Sequence, residues 1–218
     1  MTCKFCGHEC KKDGHQANGT QRYQCKHCHR KQQEKYTYNA YSPKLDEKII
    51  LYTKEGTGIQ STVRILQISA TTLLKRIIHI GKRISHPPIV KHRIYEVDEI
   101  KSFIKRKQNH IWIAYASLNR KSKEVVSFNI GARTNPTLSV VTETRHIAGA
   151  KRIYIDRLRN YQSLIDKSIH HTSLYGTNHI ERHNLTLRTH LKRPTRKTIC
   201  FSRSIIVLTA ILKIYFGG

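Results

Sequence analysis

Between residues 44 and 83 the apolar positions recur every three or four residues. In KLDEKIILYTK (44–54), Leu45, Ile49, Ile50 and Tyr52 fall near one helical face, and EGTG at 55–58 ends that helix. IQSTVRILQ (59–67) repeats the spacing through Ile59, Val63 and Leu66. Ser69 suits the N-cap of a third helix, predicted from about Ala70 to Arg83, in which Leu73, Leu74, Ile77, Ile78 and Ile80 are apolar. Pro87 and Pro88 then favour an extended chain. Beyond them β-branched and aromatic residues dominate. RIYEVDEI (93–100), HIWIAYASL (110–118) and EVVSFNIGA (124–132) predict three strands of an antiparallel meander, with polar turns at 105–109 and 119–123. Helical spacing returns from Pro136 to Ile147. AKRIYIDR (150–157) predicts a fourth strand, NYQSLID (160–166) a short helix and SIHHTS (168–173) a fifth strand. From Asn178 the pattern is helical again, and SRSIIVLTAILKIYF (202–216) predicts an apolar helix that caps the core. It is shorter than the about 20 residues a membrane crossing needs.

Three strands, a helix, a strand and later helices is the element order of the ribonuclease-H-like fold. The expected class is therefore α+β or α/β with a mixed sheet over 93–218. Residues 85–92 read as a linker. Residues 42–84 read as a small helical domain whose last two helices, joined by a short turn, have a helix-turn-helix layout. On that layout Thr71, Thr72, Lys75 and Arg76, near the start of the last helix, face a DNA groove.

The first 36 residues have little to bury, and cysteine changes the picture there. Five of the six cysteines lie within the first 28 residues. Cys3, Cys6, Cys25 and Cys28 form two C-x2-C pairs, each able to bend as a knuckle, so that four thiolates meet one Zn²⁺ in a closed tetrahedral site. Gly14, Asn18 and Gly19 suit a turn between two short strands, which predicts a zinc ribbon folded by its metal.

Charge indicates the partner. Forty Lys and Arg against 14 Asp and Glu give a net charge of +26, a field suited to a polyanion, foremost nucleic acid. With no apolar signal region or membrane-length stretch, the expected setting is soluble and intracellular, with no membrane partner. Acids are scarce, so their placement carries weight. Asp98 lies in the first strand of the meander, Asp156 ends the fourth strand, and Glu181 lies in a helix. Three carboxylates converging in a basic cleft suit Mg²⁺, or Mn²⁺, with its preference for hard oxygen ligands. Arg188 lies two helical turns after Glu181 and Asn184 one turn after it, both on a face suited to holding a phosphate. Lys192 and Arg193 extend a DNA path. Glu96 shares a strand face with Asp98, and Glu99 points to the other face.

YEVDEIKSFI (95–104), YIDRLRNY (154–161) and GTNHIERHNLTLRTHLKRPTRKTICFS (176–202) resemble transposases of the insertion sequence 1 family, and the likeness extends to the ribbon and the helical module. The resemblance implies a DDE transposase with Asp98, Asp156 and Glu181 as its triad. Its partners would be double-stranded DNA, as element ends and target, and further copies of itself. It would act in a prokaryotic cytoplasm at the nucleoid, binding inverted repeats and catalysing metal-dependent cleavage and strand transfer. The chain departs from the family at Arg157, where glycine follows the second acid in related proteins. A bulky cation there competes with a metal for Asp156, which implies weakened activity in this copy. The alternative is a DNA-binding regulator without catalysis, or a decayed transposase.

Overall fold

The computed structural model describes residues 1–36, 38–85, 91–118, 124–146, 149–156, 159–173, 176–191 and 202–217. Arg157, Lys192, Arg193 and most of the expected linker lie outside them. The chain divides into two compact units, residues 1–45 and 46–218.

The first unit is a three-stranded antiparallel sheet of β1 (Cys10–His15), β2 (Gln21–Cys25) and β3 (Lys31–Gln33), in that order. Its buried centre consists of Cys3, Cys10 and Cys25, with Cys6, Tyr23 and Cys28 packed around them. Gly7 turns the first knuckle at φ +74°, and its amide bonds to the Cys3 carbonyl at 2.9 Å. Glycine meets that backbone conformation without steric cost.

In the second unit the three predicted helices form as α1 (Leu45–Lys54), α2 (Ile59–Leu66) and α3 (Ala70–Arg83). The Ser69 hydroxyl caps α3 by accepting the Thr72 amide at 3.1 Å. Gly81 of α3 lies against Ala210, where an added Cβ would come within 2.8 Å of backbone. Close approach at this glycine packs the helical segment onto the body that follows.

That body is a five-stranded mixed sheet in the order β6-β5-β4-β7-β8. Strands β4 (Ile94–Ile104), β5 (Arg106–Leu118) and β6 (Val125–Gly131) form the antiparallel meander. Strand β7 (Arg152–Ile155) runs parallel to β4, and β8 (His170–His171) runs parallel to β7. Tyr95, Val97, Ile153 and Ile155 bury one face of the sheet with Leu138 and Val141 of α4 (Asn135–His146) and with Tyr161 and Ile165. The opposite face meets α5 (Asn178–His190) and α6 (Ile205–Gly217), where Tyr115 and Phe128 pack on Phe216.

Two expectations about this body are corrected. The turn predicted at 105–109 shrinks to Lys105 at φ +60°, and residues from Arg106 onward are strand. They are polar because this end of the hairpin stands in solvent, with Arg106, Gln108, Asn109 and His110 exposed. The short helix predicted at 160–166 is a 3₁₀ turn, Arg159–Ser163. Among the described residues no helix is long and apolar enough to cross a membrane.

Candidate functional site

Sheet register brings the two aspartates together. Strands β4 and β7 are adjacent and parallel, with Val97 level with Ile155. The next residue on each strand is Asp98 and Asp156, side by side where β7 ends. Carboxylate oxygens of Asp98, Glu99 and Asp156 lie within 4.8 Å of one another. Asp156 is exposed and Asp98 half-buried.

Asp98 is held from two sides. Its Oδ1 accepts the Glu99 amide at 2.8 Å, and its Oδ2 accepts the side-chain amide of Asn184. Asn184 in turn accepts the Tyr115 hydroxyl. Asn184, expected beside a phosphate, is thus buried at the sheet face and engaged with Asp98. Burial pushes the Asp98 carboxyl up; the Glu99 amide opposes that, and the charges of Glu99, Asp156 and Glu181 add to it, so that it titrates at about 6. Crowded oxygen donors with one member open to solvent fit a hard divalent cation, whose charge would relieve their repulsion.

Glu181 belongs to the same neighbourhood but stands outside the tight group. It is exposed in the first turn of α5, and its Oε1 accepts the Thr177 hydroxyl at 2.8 Å. Arg188 is exposed on the same helical stripe. A cavity of about 480 Å³ runs along the opposite side of α5, lined by Asn178, His179, Arg182, His183 and Thr186. It contains none of the acids.

Sequence reasoning underrated two acids. Glu96 is 3% exposed, and its Oε2 accepts the Ile180 amide at 2.8 Å. It serves as the cap of α5, because Thr177 at the N-cap position makes no side-chain capping bond. Glu99 is buried on the core face between Arg133, 2.8 Å away, and the Tyr161 hydroxyl. The signal was present in the sequence: Glu99 continues the core-facing alternation of Tyr95 and Val97, and an acid at such a position needs buried partners.

In the first unit the Sγ atoms of Cys3, Cys6, Cys25 and Cys28 all lie within 4.8 Å of one another. Cys3 and Cys28 are 3.6 Å apart, and Cys6 and Cys25 3.5 Å. A tetrahedron with zinc–sulfur bonds of about 2.3 Å sets sulfur separations of about 3.8 Å, so the four thiols fit zinc. Backbone amides already serve the sulfurs: Phe5 donates to Cys3 at 3.4 Å, and His27 and Cys28 donate to Cys25 at 3.3 and 3.4 Å. At Cys25 burial raises the pKa, but the Cys28 and His27 amides and the neighbouring thiols outweigh it and draw the thiol down to about 6. The His8 amide lowers Cys6, yet burial and the thiols of Cys25, Cys28 and Cys3 outweigh it and push Cys6 up to about 12. Thiolates gathered this closely repel one another, and a cation between them would relieve that repulsion. Cys10 is buried beside them but outside the group of four, and it receives the Gln32 amide at 3.3 Å.

Of the residues expected to face DNA on α3, Thr71 and Lys75 are exposed, whereas Thr72 and Arg76 are half-buried. The Thr72 hydroxyl meets that of Ser69 at 2.8 Å, and Arg76 lies 3.4 Å from Asp46.

The family model described as IS1 transposase matches residues 93–217. Insertion element iso-IS1n protein InsB of Shigella dysenteriae is 39% identical over 114 residues, 51% of this chain and 85% of that protein. Insertion element IS1 protein InsB of Shigella flexneri is 34% identical over 110 residues, 50% of this chain and 83% of that protein. A cryoEM structure of the simian T-cell lymphotropic virus intasome in complex with PP2A regulatory subunit B56 gamma aligns at 15% identity with a TM-score of 0.38. That alignment covers 75% of this chain and 66% of that one.

Proposed function

The chain belongs to the IS1 transposase family, and from that premise we propose that it binds the inverted-repeat ends of a mobile element and catalyses divalent-metal-dependent cleavage and strand transfer. The observation that carries this reading is the meeting of Asp98, inside β4, with Asp156, where the parallel strand β7 ends, their carboxylate oxygens lying within 4.8 Å. Mg²⁺ or Mn²⁺ held there would supply Lewis acidity at a scissile phosphate. Asp98 is oriented for that task by Asn184 and by the Glu99 amide. Glu181, on the adjoining helix, completes a DDE triad once its side chain leaves Thr177. Tyr161 is no nucleophile in this scheme, since it is fully buried and donates to Glu99.

The rest of the chain brings DNA to the acids. We assign residues 1–36 to a zinc ribbon, 42–84 to a helix-turn-helix module, 85–92 to a linker and 93–218 to a ribonuclease-H-like catalytic domain. Thr71 and Lys75, open to solvent on α3, read base edges or phosphates. Thr72 and Arg76 fix the helix's start and its packing. Arg188 holds a phosphate near Glu181, and Lys192 and Arg193 are assigned to DNA binding from the sequence alone. Two element ends need two copies of the chain, and the reaction belongs in a prokaryotic cytoplasm.

The test is incubation with DNA from the ends of the element that encodes the chain, in Mg²⁺, followed by mapping of new 3′-OH ends. Cleavage at the element boundary, with joining to a second duplex, is expected. Binding without any cleavage would leave the regulator reading in its place.

A further inference from the structure

Only the backbone amide of Glu99 enters that scheme; its side chain has no part in it, yet the fold holds that side chain tightly. Its side chain is 1% exposed. Burying a carboxylate costs several kcal/mol before its partners repay it, and an apolar residue would fill a core position more simply. Both oxygens are committed. Oε2 accepts Arg133 at 2.8 Å, and Oε1 accepts the hydroxyl of Tyr161. Arg133 is itself fixed, with its guanidinium 4.4 Å from the ring centre of Trp112 on β5. Tyr161 is fully buried in the core, in the 3₁₀ turn that the chain enters soon after Asp156. Glu99 therefore joins three separate pieces of chain: the strand that carries Asp98, the segment between β6 and α4, and the turn that follows Asp156.

We infer that Glu99 is a positioning residue: through its bonds to Tyr161 and Arg133 it ties the turn after Asp156 to β4, and so holds the Asp156 carboxylate level with that of Asp98. The inference rests on reading Asp98 and Asp156 as divalent-cation ligands. Although Glu99 lies within 4.8 Å of both aspartates, its oxygens face a guanidinium and a hydroxyl, and they orient ligands without serving as one. Hydrogen bonds to an outer partner of this kind set ligand direction, which register alone does not.

Mn²⁺ binding to the full chain, followed by calorimetry, tests this without any catalytic readout. Asp98→Ala serves as the reference for the metal site itself. Tyr161→Phe keeps the core ring and removes only the hydroxyl, so it carries the test even where Glu99→Gln fails to fold. Tyr161→Phe is expected to weaken Mn²⁺ binding about tenfold while the chain stays folded at the assay temperature by circular dichroism. Glu99→Gln, which also weakens the bond to Arg133, is expected to weaken it at least as much, and the double variant should cost less than the two single effects combined, because both disturb the shared Glu99–Tyr161 bond. Mn²⁺ binding that Asp98→Ala removes but Tyr161→Phe leaves unchanged overturns the positioning role alone. Loss in Glu99→Gln as complete as in Asp98→Ala, with Tyr161→Phe silent, would make Glu99 a ligand and overturn it too. Binding that is absent from the unsubstituted chain, or indifferent to Asp98→Ala, overturns the metal reading beneath it.

Discussion

The two units of the chain solve one problem by opposite means. In residues 1–45 the reactive groups are the core: Cys3 and Cys25 are buried and little aliphatic material surrounds them. In residues 46–218 an apolar core carries the fold, and the acids are held at its edge by strands far apart in sequence. If the first unit is the zinc ribbon proposed above, it has almost nothing left to hold it without the metal. On the proposed reading, a sheet without Asp98 and Asp156 keeps its fold and loses only its chemistry. On the same reading, metal binding and stability are thus fused in the first unit, and chemistry and stability are separable in the second.

Removing metal breaks this comparison most forcefully. Chelation, or Cys25→Ser, is expected to unfold residues 1–45, since a structural zinc is worth on the order of 10 kcal/mol. The second unit should keep its structure. Limited proteolysis checks it: digestion should stop at a core beginning near residue 46, and a ribbon that still resists protease after chelation would refute the fused description.

In the second unit, Asp98→Asn is expected to cut DNA cleavage by about a hundredfold or more, the scale of losing one charge-stabilising group. Affinity for element-end DNA, measured by fluorescence anisotropy at fixed salt, should stay the same. Equal loss of binding would mean that the acid is structural after all.

Glu96→Gln sharpens the comparison, because Glu96 is an acid in this unit with a structural duty. It caps α5 through the Ile180 amide. Weakening that charge-assisted bond is expected to cost about 1–3 kcal/mol, read as a lower midpoint in thermal unfolding. Asp98→Asn should not share that drop.

A further effect concerns pH. Burial first, and then the charges of Glu99, Asp156 and Glu181 against the opposing Glu99 amide, raise Asp98 from an ordinary 3.8 to about 6. The folded chain then holds this proton more tightly than the unfolded chain does. Without divalent metal, Asp98's contribution to stability is therefore greatest at low pH. It declines as pH rises from about 4 to about 6 and is flat above. Denaturant titrations across that range should show the slope, and Asp98→Asn should remove its share of it.

What the sequence disclosed follows the same division. The cysteine centre was legible as two short pairs, because a knuckle is a local structure. The helices of 45–83 were legible because their apolar period and the Ser69 cap are local too. The aspartates were legible as one acid within a strand and one at a strand end, but only register brings them level. Less visible were the roles fixed by packing across the sheet. Glu96 caps a helix far along the chain, Asn184 turns inward to Asp98, and Glu99 is shared by Arg133 and Tyr161. Composition misled at 106–109, where polar residues signalled a turn and the chain instead ran on as a solvent-exposed strand.

The claim on which the account turns is that Asp98 and Asp156 jointly hold the cation that cuts DNA. Anomalous scattering from crystals soaked in Mn²⁺ tests it most directly. The account predicts a peak bridging the two carboxylates, at about 2.1 Å from an oxygen of each, and its disappearance in Asp98→Asn. A map with no peak between them, or a peak that persists in Asp98→Asn, would contradict it.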